Sequence, residues 1–175
     1  DTLVDSPDSL TLPGTSRPLG NSSSCGGTKI SLEQALKVSC NTAFAGLGMQ
    51  LGADAVRTQA QKFGFGSGNE LPDLGSATSN FPAKLDQAQL AQSSIGQFDV
   101  AATPLQMAMV AAGIANNGVV MQPYLVQQVR AADLTVLETA RPQQFSQAMT
   151  AENAQAPQCM IVAMATEGTG TRAQI

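Results

Sequence analysis

The chain has 175 residues, of which 43% are hydrophobic, only 13% are charged and none is histidine. A chain of this length fits one domain with a sizeable core. The net charge of -4 and the nine scattered Lys and Arg residues offer no basic stripe for a phosphate backbone, which excludes a nucleic-acid partner.

The residue types also limit the chemistry. Without His, and with three Cys residues that show no paired spacing, the sequence predicts no metal ion and no cofactor. Any acid-base step must therefore use lysine, carboxylate or hydroxyl groups. The sequence has no run of about eighteen apolar residues and no signal-peptide pattern, so we expect no membrane-spanning or targeting segment in it.

Helical signals begin only after the first 30 residues. Those residues are rich in Pro, Gly and Ser, which predicts an extended surface loop. Ser31 and Gln34 then have the spacing of a capping box, which predicts the start of a short helix. Its expected inward residues are Leu32, Ala35 and Leu36, and we expect it to end near Val38 to Ser39.

Two further helices are predicted directly afterwards. The second spans 42–51 and stops at Gly52; the third is capped by Asp54 and stops at Gly64. The helical period places a set of mostly apolar residues inward: Phe44, Leu47, Gly48 and Leu51 in the second helix, and Val56, Ala60 and Phe63 in the third. Together the three helices are expected to form one wall of the domain.

The middle of the chain joins this wall to the clearest helix start. Region 64–85 is longer than an ordinary connection, so it is either a functional rim or a mobile flap. After a helical turn at 86–93, Thr103 supplies an N-cap, Pro104 a first-turn proline and Gln106 a capping-box residue. The predicted buried stripe of this helix is Leu105, Ala108, Met109, Ala112 and Ala115.

The last third changes its period. From Val119 the pattern alternates, and the segment before Asp133 is predicted to pair with 135–138 as a hairpin. A final helix is predicted over about 150–165. Pro157 should kink or break it, and the sequence does not decide between the two.

The candidate chemistry lies in the link between the first two helices, Ser39-Cys40-Asn41. A hydroxyl and a carboxamide two residues apart can face the same side of an irregular link, where one can pass a proton and the other can hold an amide. Taken alone the pattern is weak, because Ser and Asn also favour helix ends for ordinary backbone reasons. Its neighbours must distinguish a catalytic link from simple helix capping.

Three longer segments carry a family resemblance: "ISLEQALKVSCNTAFAGLGMQLGA" with "KFGFG", "SSIGQFDVAATPLQMAMVAAGIANNGVVMQPYLV", and "EGTGT". In these, the chain resembles the transpeptidase domain of class B penicillin-binding proteins of the actinobacterial type, collinearly over nearly its whole length. The resemblance implies that Ser39 and Asn41 are the Ser-x-Asn element of a three-motif site. Ser39 would relay a proton, and Asn41 would hold the substrate carbonyl. Gly96 and Gln97 would be turn residues that support the site, and Thr103 only a cap.

The other two motifs of that family are absent. No Ser is followed three positions later by Lys, and there is no Lys-Thr-Gly. Gly168-Thr169-Gly170 is interpreted as a turn upstream of that strand, because Glu167 stands where the Lys would be needed. The expected architecture for 1–175 is therefore one partial domain, mostly α with a β-hairpin. It is the helical part of the α/β penicillin-binding and serine β-lactamase-like fold, with an incomplete central sheet.

The resemblance further implies a function, partners and a location. The parent would be a D-Ala-D-Ala transpeptidase that cross-links peptidoglycan stem peptides through a serine acyl-enzyme and binds β-lactam antibiotics, while this segment alone would be inactive. A glycosyltransferase and division or elongation proteins would be its partners. The parent would be extracytoplasmic and anchored to the membrane by an N-terminal helix, a setting that permits a disulfide between Cys25 and Cys40. Cys159 would then be free and buried.

Two other classes stay open on the sequence. One is a related hydrolase, either a β-lactamase or a DD-carboxypeptidase, although "SIGQ" and "TPLQMA" are more typical of transpeptidases. The other is a non-catalytic β-lactam sensor or scaffold module. A Ser-x-x-Lys before Asp1 and a Lys-Thr-Gly after Ile175 would favour catalysis over the sensor.

Overall fold

The computed structural model of the chain describes residues 2–68, 71 and 75–174. Within these residues the helices are α1 (Leu32–Lys37), α2 (Asn41–Leu51), α3 (Ala53–Lys62), α4 (Gln87–Ser93), α5 (Pro104–Ala115) and α6 (Ala151–Glu167). A short 3-10 helix follows at Thr171–Ala173. None of these helices is long and apolar enough to cross a bilayer. The described part of the chain is thus mostly helical, as the sequence predicts.

The first 30 residues are not simply loop. β1 (Leu3–Asp5) pairs antiparallel with β4 (Lys29–Ser31), and β2 (Ser9–Leu10) pairs antiparallel with β3 (Leu19–Gly20). The prediction of a loop was wrong here because strands of two or three residues are too short to show an alternating pattern. The segment is also anchored rather than free, since Ser6, Leu12 and Cys25 are buried.

Strand pairs in the last third follow the prediction more closely. β6 (Gln128–Arg130) and β7 (Val136–Thr139) form the predicted antiparallel hairpin, with Val129 opposite Glu138. A second pair was not predicted: β5 (Val119–Met121) pairs antiparallel with β8 (Gln144–Gln147). All four strand pairs in the described residues are separate two-stranded sheets, so these residues contain no continuous central sheet.

Helix starts are mostly where the sequence places them. The hydroxyls of Ser31 and Thr103 accept hydrogen bonds from the amides of Gln34 and Gln106, at 3.1 and 3.0 Å. The prediction for Asp54 was wrong, because Gly52 precedes the helix and Asp54 lies in its first turn, paired with Arg57. An acidic side chain is favourable in a first turn as well as at a cap, so sequence alone does not separate the two positions.

The predicted inward faces of α2 and α5 were partly wrong. In α2 the buried residues are Thr42, Ala43, Ala45 and Gly48, whereas Leu51 is 58% exposed. In α5 they are Gln106, Met109 and Gly113, and the predicted Ala108, Ala112 and Ala115 are exposed. Both helices are built from small residues on several sides, so the hydrophobic period does not single out one face.

Gln106 shows the same limit for polar side chains. Its side chain does not reach back to the cap but lies fully buried, where its Nε2 donates a hydrogen bond of 2.6 Å to the carbonyl of Phe63. This contact joins α5 to the end of α3. A partner 43 residues away cannot be read from local spacing.

The two features that the sequence left open have partial answers. α6 runs from Ala151 to Glu167 with Pro157 inside it, so the proline does not break the helix. In the long region 64–85, Asn80 forms an antiparallel bridge with Ala101, while 69, 70 and 72–74 lie outside the described residues. The choice between rim and flap therefore stays a prediction.

The core of the described residues is divided into three clusters, and two of them support the link between α1 and α2. The first cluster joins the two helices to the N-terminal segment and contains Cys25, Ile30, Ala35, Cys40 and Ala43. The second packs α2 against α4 and contains Leu12, Ala45, Ala88 and Ala91. The third lies around α5 and contains Phe63, Met109, Val120 and Ala148.

Candidate functional site

The candidate site begins with the backbone of the link. α1 ends at Lys37, and Ser39 then adopts a left-handed conformation with φ of 57°. Two bonds hold it there: the amide of Ser39 donates to the carbonyl of Leu36 at 3.1 Å, and that of Cys40 to the carbonyl of Ala35 at 2.8 Å. A non-glycine residue in this conformation costs about 1 kcal/mol or more, so packing must hold it in place. The turn leaves the side chain of Ser39 exposed.

Ser39 and Asn41 face a shared pocket. It has a volume of about 280 Å³ and is lined by Leu36, Ser39, Cys40, Asn41, Phe44, Ser94 and Ile95. The turn after α4 thus forms the wall opposite the Ser-x-Asn link. None of these lining residues carries a titratable group apart from Cys40, which is bonded in a disulfide. The described part of this pocket therefore contains no general base of its own.

Asn41 does not act as the helix cap. It is the first residue of α2, Cys40 is the N-cap, and no side chain of the N-cap bonds to the helix. Instead the Nδ2 group of Asn41 donates to the carbonyl of Gly20 at 3.2 Å. The half-buried amide is thus held at the edge of the pocket by the N-terminal segment.

Asn21 performs the capping that Asn41 does not. Its Oδ1 accepts from the amide of Thr42 at 3.0 Å, and its Nδ2 donates to the hydroxyl of Thr42 at 3.0 Å. The hydroxyl of Thr42 in turn donates to the carbonyl of Pro7 at 2.7 Å. These contacts fix the start of α2 from a segment 21 residues away, and nothing in the local sequence signalled them.

Two of the three cysteines are joined beside the site. Cys25 and Cys40 form a disulfide with a Cα separation of 5.5 Å, and both are buried. The bond ties the N-terminal segment to the residue between Ser39 and Asn41. The prediction that Cys159 is buried was wrong: it is free but exposed. On α6 the inward positions are Ala154 and the partly buried Gln158, whose side chain donates to the carbonyl of Ile114.

Gly96 and Gln97 lie beside the pocket rather than in its wall. Gly96 has a φ of 75°, which allows the chain to turn after α4. Gln97 lines a neighbouring groove of about 490 Å³ together with Leu12, Thr15, Arg17, Pro18, Leu19, Gly20 and Gln92. Gly20 borders this groove and also accepts from Asn41, so the two depressions share one edge. Ser94 and Ile95, which the sequence analysis did not single out as site residues, take the place facing Ser39.

One charged pair lies close behind the link. Lys37 donates to the carboxylate of Glu167, and this hydrogen bond, together with the lysine charge, holds the pKa of Glu167 below its ordinary value. Elsewhere, the described residues contain no group of three or more His, Cys, Asp or Glu side chains that could hold a metal ion. The electrostatics near the site thus come from a single surface pair.

Comparison with known proteins agrees with this geometry. The sequence profile of the penicillin-binding protein transpeptidase domain matches residues 5–175. The peptidoglycan D,D-transpeptidase PbpA of Mycolicibacterium smegmatis is 43% identical over 142 residues, which cover 79% of this chain and 29% of that protein. PbpA of Mycobacterium tuberculosis is 44% identical over 133 residues, covering 74% of this chain and 27% of that protein.

Solved structures show the same fold. Penicillin-binding protein A from M. tuberculosis, in an imipenem acyl-enzyme complex, superposes with a TM-score of 0.89 at 38% identity, covering 93% of this chain and 38% of that chain. The D,D-transpeptidase domain of a peptidoglycan glycosyltransferase from Eggerthella lenta gives a TM-score of 0.87 at 31% identity, covering 100% of this chain and 45% of that chain.

The chain therefore spans less than half the length of each of these relatives and matches them through its helical part. The expected fold class is confirmed, and so is the family. On the profile match across 5–175 and the identity to the mycobacterial proteins, the chain belongs to the penicillin-binding protein transpeptidase family, in its class B, actinobacterial type.

Proposed function

We propose that this chain supplies the Ser-x-Asn wall of a peptidoglycan D,D-transpeptidase that forms a serine acyl-enzyme with stem peptides and with β-lactams. The observation that carries the proposal is the joint exposure of Ser39 and Asn41 at one pocket, within a chain whose family profile runs from 5 to 175. Several relatives are named peptidoglycan D,D-transpeptidases, and one solved relative is an imipenem acyl-enzyme.

The roles follow from what the pocket contains. Ser39 has an exposed hydroxyl that makes no hydrogen bond with the described residues, so it is available to relay a proton from the nucleophile to the leaving amine. Asn41 presents an amide that can donate to the substrate carbonyl and orient it. The lining residues include no lysine, so the activated nucleophile and its Lys come from another segment, as a Ser-x-x-Lys.

The domain boundaries and the setting are proposals of the same kind. Residues 1–175 form one partial transpeptidase domain, completed by a Ser-x-x-Lys helix and a Lys-Thr-Gly strand that are absent from this sequence. The complete protein acts outside the cytoplasm and is anchored to the membrane. Its partners are a glycosyltransferase and division or elongation proteins. The buried Cys25–Cys40 disulfide supports an oxidising compartment.

The decisive experiment compares Asn41→Ala with wild type in the complete protein that contains this chain. We expect the second-order acylation rate with a fluorescent penicillin to fall by about 100-fold, because one well-placed donor at an acyl-transfer site is worth on the order of 3 kcal/mol. The thermal midpoint should change little, since only one partly exposed bond to Gly20 is lost.

Asn116→Ala is the matched control. Its Nδ2 also donates to a backbone carbonyl, that of Val119 at 3.0 Å, but at the end of α5. It should acylate like wild type. The 175-residue chain alone should carry no label, because it lacks a Ser-x-x-Lys. A large drop in the midpoint of Asn41→Ala with an acylation rate within threefold of wild type would remove Asn41 from the site.

A further inference from the structure

The turn after α6 returns to the end of α1, 130 residues earlier in the chain. The amide of Thr169 donates to the carbonyl of Lys37 at 3.0 Å, and the carboxylate of Glu167 accepts from the ammonium of the same lysine. Lys37 is thus bound at its backbone and at its side chain by two residues of one turn. The helices α1 and α6 pack directly against each other around this point.

Glycine is required at the centre of this contact. A Cβ atom on Gly168 would lie 2.4 Å from the carbonyl oxygen of Lys37 and 2.8 Å from that of Met164. Such a distance is far below van der Waals contact, so any larger residue would push the turn away from α1. Gly170, in the same turn, would meet only Met164 and Ala165 of α6. The two glycines therefore differ in whether they touch α1.

The carbonyl of Lys37 lies immediately before the strained part of the link. Only Val38 separates Lys37 from Ser39, whose φ of 57° needs external contacts to persist. The Lys37 carbonyl is also among the last of α1, which have no partner within the helix itself. The bond from Thr169 gives it one and fixes the peptide plane that leads into Ser39.

We propose that Glu167, Gly168 and Thr169, together called the brace, are positioning residues that hold Ser39 in its relay geometry through the end of α1. The proposal rests on the proposed function and extends it to residues outside the pocket. The brace acts by geometry. Its ion pair lies at the surface, where such pairs contribute little to stability, so a change in acylation should exceed any change in melting.

The first test measures the link itself. Backbone amide exchange at Ser39 and Cys40, whose amides bond within α1, is compared in the complete protein for Gly168→Ala, Gly170→Ala and wild type. Exchange at these two amides should be about tenfold or more faster in Gly168→Ala, because local opening becomes easier when the turn is displaced. In Gly170→Ala it should stay within about twofold of wild type. Equal exchange in all three proteins would overturn the brace.

The second test measures the consequence for chemistry. The second-order acylation rate with a fluorescent penicillin should fall by about tenfold in Gly168→Ala and remain near wild type in Gly170→Ala, because small displacements of a catalytic group cost rate steeply. Lys37→Glu and Glu167→Lys should each slow acylation, and the double exchange should restore it to within about threefold of wild type by re-forming the pair. A merely structural role would give no such rescue.

The outcomes separate the two proposals. If the wild-type complete protein is not acylated, the proposed function fails, while the exchange data still decide whether the brace holds the link. If the wild type is acylated and Gly168→Ala is acylated at the same rate, the positioning role is wrong even when its amides exchange faster.

Discussion

The link at Ser39 and the β6–β7 hairpin are held in opposite ways. Around the link, Ala35, Cys40 and Ala43 are at most 2% exposed, and contacts arrive from the N-terminal segment, from α4 and from the turn after α6. In the hairpin, large apolar side chains are exposed on all sides: Tyr124, Leu125, Val126, Val129, Leu134, Val136 and Leu137. Apolar composition therefore does not separate a packed region from an exposed one in this molecule.

The difference lies in where each region gets its geometry. The hairpin is set locally: Asp133 accepts from the amide and the hydroxyl of Thr135, and the amide of Ala131 donates to the carbonyl of Thr135. The link depends on partners between 16 and 130 residues away in the sequence. A catalytic geometry with one strained residue needs such distant contacts, whereas a turn can be specified by its own few residues.

The largest expected contrast is between two leucines. Leu90 of α4 is 1% exposed and Leu137 of β7 is 67% exposed. Leu90→Ala should destabilise the protein by about 2 to 5 kcal/mol, because it leaves a cavity under the pocket wall. Leu137→Ala should stay within about 0.5 kcal/mol of wild type. Urea unfolding of both variants measures the contrast, and a comparable loss in both would show that the hairpin is packed.

Removing the disulfide should have the next largest effect. Cys25→Ser with Cys40→Ser opens a loop of 15 residues in sequence separation, which costs about 3 kcal/mol on the chain-entropy account. For a domain of this size that lowers the thermal midpoint by about 6 to 12 °C. Cys159→Ser, at an exposed free thiol, is the control and should melt like wild type. Recovery of Cys25 and Cys40 as alkylated free thiols from unreduced protein would contradict the pairing.

A smaller loss is expected where α2 and α4 meet most closely. A Cβ on Gly48 would lie 2.5 Å from the Cβ of Ser94, so Gly48→Ala should destabilise the protein by about 1 to 3 kcal/mol through overpacking. Gly46→Ala, on the same helix with no atom within 4 Å, should be neutral or slightly stabilising. Adding Ser94→Gly to Gly48→Ala should restore the midpoint. Equal midpoints for the two single alanine variants would show that the helices are not in close contact.

The smallest effect concerns pH. Because Lys37 holds the pKa of Glu167 below its unfolded value, the carboxylate stabilises the fold above the unfolded pKa, and that contribution is lost as the pH falls through the folded one. A double-mutant cycle of Lys37→Met and Glu167→Gln should therefore show coupling in the thermal midpoint at pH 7 and none at about pH 3. The same cycle between Lys37→Met and Glu138→Gln, on the exposed hairpin, should show no coupling at either pH.

Local signals predicted the elements well. The caps at Ser31, Thr103 and Thr150 were readable because each is a short-range contact between a hydroxyl and an amide three residues on. The β6–β7 hairpin was readable because its turn chemistry is local. The buried faces of α2 and α5 were not, since Ala and Gly on every side leave the choice of face to whatever packs against the helix.

Sequence alone therefore determined the helix starts, the hairpin, the family and the presence of a Ser-x-Asn pair at a helix junction. Tertiary structure decided the rest: that Asn21 rather than Asn41 satisfies the start of α2, that Ser94 and Ile95 face Ser39, and that the turn after α6 binds Lys37. The physical reason is one of range. Caps and turns are closed by residues three or four positions apart, whereas these contacts join segments whose separation leaves no trace in local spacing.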